Sequence, residues 1–201
     1  MKKEDRFPLF CLLAVLIVFA IGAINPVYRD VWIAESLLIF LFVPILIITY
    51  RKFRFSNTSY VLIAIFSILQ ILGSHYTYSE VPLGFWLKEL LNLSRNHYDR
   101  IVHFLWGALL YLPVFEIYSK NILTKSRTFF YYLMPAAILV SLGALFEVGE
   151  WIIVRNVGIE EGVSYFGAQG DIWDTQKDTF LQMIGSFITA LFYYTKRNKS
   201  I

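Results

Sequence analysis

Six stretches of the chain each come close to the length of apolar helix that a bilayer core demands, about 20 residues. They are Phe7–Ile24, Val31–Tyr50, Ser59–Leu72 with a continuation to Tyr76, Ile101–Tyr118, Phe129–Val154 and Thr179–Tyr194. In hydrocarbon every backbone N–H and C=O must be satisfied within the segment itself, so such runs are predicted to be helices. Composition agrees: 57% of residues are hydrophobic and only 16% are charged, where a soluble domain carries about 25% charge. The predicted fold class is therefore all-α, a polytopic membrane helix bundle of about six transmembrane helices. No internal repeat or low-complexity linker divides it, so residues 1–201 read as one integral membrane domain.

The helix ends fit this placement. Tyr28, Trp32, Tyr50, Tyr131, Trp151 and Tyr194 stand near them, where aromatic side chains anchor in the interface. The first run, behind Met-Lys-Lys-Glu-Asp-Arg, resembles a signal peptide but is longer than an ordinary h-region, so it is expected to be retained. The stretch Phe85–Leu91 reads as an amphipathic interfacial segment. Pro113 and Pro135 fall inside predicted spans, where proline is tolerated. Cys11 is the only cysteine. It can form no internal disulfide, and it reads as a packing residue.

Orientation follows from the basic residues. Twelve of the 18 Lys and Arg fall at the N-terminus, at Arg51, Lys52 and Arg54, at Lys120, Lys125 and Arg127, and at the C-terminus. Both termini are accordingly expected in the cytoplasm of a bacterial cell, with the chain in the plasma (inner) membrane and lipid as its first partner. The net charge of +3 forms no concentrated basic patch, which argues against nucleic-acid binding. The acids run the other way: twelve of fifteen lie towards the outer side.

The three histidines, His75, His97 and His103, also fall on that side. Asp99 and His103 are four apart and share a helical face. Glu147 and Glu150 are three apart, again on one face, inside a predicted span. An ionisable residue there is expensive and usually faces the bundle interior or a cavity. Asp171, Asp174 and Asp178 have helical spacing, and Gln182 extends their face by one turn. Carboxylates with imidazoles suit Zn2+, Mn2+ or Fe2+, and carboxylates alone suit Ca2+ or Mg2+. His75, His103, Asp174 and Asp178 are the candidate ligands of a divalent metal. His103, Asp99, Glu147 and Glu150 are the candidate catalytic groups, for metal-assisted attack on a phosphate or acyl group of an envelope or lipid substrate. The alternative is a non-enzymatic scaffold or small transporter, with Arg100 and Lys177 joining the acids in a structural ion-pair network. A transporter would place its ionisable groups nearer the midplane.

Four segments carry a resemblance. Gly73-Ser-His-Tyr-Thr-Tyr78, His97-Tyr-Asp-Arg-Ile-Val-His-Phe104, Phe146-Glu-Val-Gly-Glu-Trp151 and Gly170-Asp-Ile-Trp-Asp-Thr-Gln-Lys-Asp178 together resemble the YjdF-like bacterial inner-membrane proteins. That likeness spans nearly the whole chain and implies location and topology, but no reaction. From Tyr98 to Leu191 the chain is also more distantly similar to VanZ-like membrane proteins. Asp99-Arg100 and His103-Phe104, then Glu147 and Glu150, then Asp174, Asp178, Gln182 and Gly185 follow that pattern, with Arg100 in place of Lys and Gln182 in place of Asn. This second resemblance implies a cell-envelope role.

Overall fold

The computed structural model describes residues 3–122, 128–157 and 169–198. Lys125, Arg127 and the polar stretch 158–168 lie outside the described residues. Among the described residues the chain is helical and no strand occurs. A 3-10 turn, Lys3–Asp5, leads into α1 (Arg6–Gly22). Then come α2 (Arg29–Glu35), α3 (Leu37–Thr49), α4 (Asn57–His75), α5 (Pro82–Leu90), α6 (Tyr98–Asn121), α7 (Phe129–Val157) and α8 (Asp174–Asn198).

Among the described residues, four helices are long and apolar enough to cross a membrane: Lys3–Gly22, Asn57–His75, Tyr98–Asn121 and Phe129–Ile152. The pair α2 and α3 makes a fifth if it is one span bent by 40°. The expected uninterrupted helix over 31–50 is thus two pieces. The bend falls at Glu35 and Ser36, 2% and 0% exposed. Helical bonding continues through it, from Ser36 N–H to the Trp32 carbonyl and from Phe40 N–H to the Ser36 carbonyl, both 2.9 Å. The sixth expected segment forms the body of α8. Gln182, Ser186 and Thr189 interrupt its apolar run, and α8 is not among the helices that reach the length and hydropathy of a span.

The described residues gather in two compact units. The first comprises those up to Asp99, with Gln169; the second begins at Arg100 and includes those from Gly170 on. In the first unit α1 packs along α4. Gly22 lets Ile71 approach, and Cys11, Val15, Ile39, Tyr60 and Ala64 share the core with it. Beyond α4, Thr77 and Tyr78 take left-handed backbone conformations, φ 55° and 56°, which side-chain-bearing residues rarely adopt. The surroundings hold them there. A Cβ on Gly73 would strike the Tyr78 ring. The Asn96 amide donates to the Ser79 and Val81 carbonyls at 2.9 and 3.1 Å, and only a glycine at Gly84 leaves room for that amide. The Gly73–Glu80 motif therefore has a structural use as a locked turn.

In the second unit α7 packs along α8, and α6 and α8 cross with close backbones. A Cβ on Gly185 would collide with the Phe104 carbonyl, and one on Gly107 would collide with the Gln182 carbonyl and the Ser186 amide. Small residues at such crossings are how membrane helices bring their backbones together. Two buried polar tips tie α6 to α7: Trp106 Nε1 donates to the Leu139 carbonyl at 3.0 Å and the Tyr111 hydroxyl to the Tyr132 carbonyl at 2.6 Å. Further along, Tyr111, Phe115, Tyr132 and Tyr193 stack, with centroids 5.4 to 6.0 Å apart.

Gly185→Val should force these backbones apart and destabilise the folded protein by about 1–3 kcal/mol, the range for overpacking. Gly149→Ala, where an added Cβ meets nothing within 4 Å, should leave stability unchanged or raise it. Thermal unfolding of both variants in one detergent checks the contrast. Equal losses would contradict the close crossing.

Candidate functional site

The polar side chains of the second unit fall where the three helices cross. His103 lies one turn inside α6, Glu147 two-thirds along α7, and Asp174, Asp178 and Gln182 on successive turns of α8. The spacing puts the last three on one face, and all are buried, at 8, 2 and 2% exposure. Ser186 continues the face, with its hydroxyl on the Gln182 carbonyl at 2.8 Å. Asp171 precedes α8, so it does not share that face as its spacing predicted. It closes the turn that leads into α8 instead: its carboxylate accepts from the Trp173 backbone N–H at 3.1 Å.

His103 is the hub. Its Nδ1 lies 2.6 Å from the Gln182 amide nitrogen and 3.3 Å from Glu147 Oε1. These two neighbours ask different things of one atom. If the amide nitrogen donates, Nδ1 must be the unprotonated acceptor. If Nδ1 carries the proton, it serves the Glu147 carboxylate and the Gln182 amide turns its oxygen inward. An amide oxygen and nitrogen are nearly interchangeable in shape, and an acceptor pair of carboxylate and amide oxygen around N–H leaves no donor facing a donor. We therefore read the ring as Nδ1–H, which makes Nε2 its basic nitrogen. Gly143, one turn before Glu147, leaves the space the Gln182 amide occupies, and a Cβ there would overlap Gln182 Oε1.

A ring nitrogen of His103 and a carboxylate oxygen of Asp178 lie within 4.8 Å of each other. The Asp99 carboxylate, one turn before His103 on the same helix, is within the same distance of the ring. All three residues are buried. Towards the start of α8 the character changes to ion pairing. Arg100 reaches Asp171 at 2.6 Å and Asp174 at 3.3 Å, and Lys177 reaches Asp171 at 2.6 Å. The Lys177 ammonium first, then the Trp173 amide and the Arg100 guanidinium, hold the Asp171 carboxyl far below the usual carboxylate range.

Of the residues singled out in the sequence, His103, Glu147, Asp174 and Asp178 thus occupy one unit, with Asp99 at the head of the same helix as His103. Glu150 is half-buried, one turn beyond Glu147. His75 belongs to the first unit, where its Nδ1 lies 2.8 Å from the Gly22 carbonyl. The group close enough to share an ion among the described residues does not include it. The glycines Gly107 and Gly143 were not singled out. Their signal was available: Gly107 follows His103 by four residues and Gly143 precedes Glu147 by four, so each shares a face with a site residue.

Fold and site together define a multi-pass α-helical membrane protein with a buried imidazole–carboxylate centre. The chain belongs to the family described as "Predicted membrane protein (DUF2238)", whose model matches residues 7–199. It is 32% identical over 161 residues, 80% of this chain and 76% of the relative, to the inner membrane protein YjdF of Escherichia coli (strain K12). No solved structure gives a significant match. The chain is a multi-pass protein of the bacterial plasma membrane. The VanZ-like resemblance rests on the motif residues alone.

Because the Asp171 carboxyl is lowered on folding, its stabilising share is complete above the unfolded carboxyl's pKa, about 3.9, and is lost as the pH falls from there towards the folded value. Asp171→Asn should lower the melting temperature at neutral pH. The gap to the parent protein should close as acid is added below about pH 4. Parallel melting curves over the acid range check it, and a constant gap would contradict the clamp.

Proposed function

We propose that the centre around His103 binds a divalent metal ion and acts with it on a phosphate- or acyl-bearing envelope or lipid substrate at the outer face of the plasma membrane. The observation that carries this is the convergence of His103 with Asp178, and with Asp99 on its own helix, to within 4.8 Å. Ligand atoms around a common ion about 2 Å away stand roughly 3 to 3.5 Å from one another, so small rotamer changes suffice. One imidazole among carboxylates favours Zn2+, Mn2+ or Fe2+ over Ca2+. Burying carboxylates in an apolar bundle is costly unless a cation accompanies them.

The neighbours of His103 suit the same reading. With the Gln182 amide oxygen turned inward, Glu147 and Gln182 favour the Nδ1–H tautomer, both lying on the Nδ1 side of the ring, the arrangement by which a carboxylate orients a ligating histidine. A divalent ion held there supplies an acidified water and an electrophile for a phosphoryl or acyl oxygen. His103 holds its side of the ion, Asp178 and Asp99 supply charge, and Glu147 keeps the ring basic. Glu150, one turn on, is the candidate proton acceptor. The candidate ligand Asp174 meets Arg100 at 3.3 Å, so its charge is taken up by the guanidinium and it stands outside the group that shares the ion.

A second reading has its own observation. The Arg100, Asp171, Asp174 and Lys177 network is a structural clasp, and the His103 centre can be its hydrogen-bonded continuation in a scaffold protein. Elemental analysis of the detergent-purified full chain separates the two. The metal reading expects near-stoichiometric metal in the parent protein and none in folded His103→Ala or Asp178→Asn. It also expects Glu147→Gln to weaken metal affinity by about 10- to 100-fold without abolishing binding. No metal in any of them after loading would leave the clasp as the better account.

A further inference from the structure

The first unit holds a feature that the polar centre does not use. A groove of about 790 Å3 runs beside α1, α3 and α4. Its walls are apolar and come from all three helices, among them Val15 and Leu12, Val43 and Leu46, and Ile63 and Ala64. One end is polar, lined by Tyr50, Arg51 and Arg54 with Glu4 and Asp5. An apolar trough with a charged end has the shape of a site for an amphiphile.

The charges at that end are not equivalent. Arg54 is satisfied within the protein: it lies 3.4 Å from both Glu4 and Asp5, and its guanidinium sits over the Tyr50 ring. The Tyr50 hydroxyl in turn donates to Asp5 at 2.6 Å. Both acids at the rim are therefore committed to Arg54 and Tyr50. Arg51 is exposed and has no ion-pair partner among the described residues. The rim thus presents one uncommitted cation beside an apolar channel.

The setting decides which amphiphile. α1 and α4 are each long and apolar enough to cross a bilayer, and α2 with α3 passes as a bent span. The medium around such helices is acyl chain, and the loop that carries Arg51 also carries Lys52. Basic residues at the end of a span attract the phosphate of anionic lipid. We propose that this groove binds an acyl chain of an anionic phospholipid, with the phosphate at Arg51. A zwitterionic lipid offers the same chain but sets its own cation beside the guanidinium, so the site selects by headgroup charge.

The test uses the full chain in nanodiscs of phosphatidylcholine, doped with phosphatidylglycerol or phosphatidylcholine bearing a photoactivatable diazirine on one acyl chain. Cross-linked peptides are read by mass spectrometry. The expected result is labelling of α1, α3 and α4 groove residues, several-fold stronger with the phosphatidylglycerol probe. Arg51→Gln should bring that excess down to the phosphatidylcholine level. Leu12→Trp and Ile63→Trp, which fill the groove from opposite helices, should each suppress groove labelling. Arg51 is exposed, so its variant tests the headgroup even if a filling variant fails to fold. Equal labelling by both probes, unchanged in Arg51→Gln, would show ordinary surrounding lipid and overturn the proposal. So would groove labelling that survives both filling variants.

Discussion

The polar centre depends on the near-contact of two helix backbones. Where α6 meets α8, Gly107 and Gly185 offer hydrogens where any other residue would offer a Cβ, and the Gln182 and Phe104 carbonyls occupy that space. Lipid provides no hydrophobic drive to press helices together, so contact area and interhelical bonds must do so. The close approach supplies the area. It also sets the depth at which α8 presents Gln182 to His103, because Ser186, whose amide faces Gly107, is one turn from Gln182 on the same face. A wider crossing would separate the 2.6 Å pair of His103 and Gln182 and leave buried polar groups without the bonds that offset their desolvation.

Two kinds of polar chemistry follow along α8. At its start the acids are matched by Arg100 and Lys177, at distances of ordinary charge-assisted bonds. Deeper in, Glu147 meets the His103 imidazole, and Asp178 lies near that ring as well as within electrostatic reach of Arg100. The first region has a settled charge state. The second sets an imidazole among carboxylates, which is why it and not the ion-pair network is the proposed centre of chemistry. The first unit divides similarly between the locked turn at Thr77 and Tyr78 and the groove with its uncommitted Arg51.

Much of this was legible in the sequence because the constraint from lipid is so strong. Apolar length alone placed α1, α4, α6 and α7. It misplaced the detail of the second span, since nothing in an apolar count distinguishes a straight helix from one bent at Glu35 and Ser36. The polar faces were legible from period: Asp174, Asp178 and Gln182 recur at helical spacing, and they are buried together. Which polar residues meet was not legible, because spacing fixes a residue's face but not that face's neighbour. His75 shows this. It shares a residue type with His103, yet its ring lies against the Gly22 carbonyl. The helix-contact glycines were readable in principle, four residues from His103 and from Glu147, had small residues been weighed together with the polar ones they accompany.

The ring nitrogen of His103 can be observed directly. With the purified full chain loaded with Mn2+, electron spin echo envelope modulation detects nitrogen bound to the ion. A 14N coupling typical of imidazole should be present in the parent protein and absent in His103→Gln, while Glu147→Gln should retain it at higher Mn2+ concentration. Mn2+ that binds without any nitrogen coupling, or a coupling that survives in His103→Gln, would contradict a metal centre built on His103.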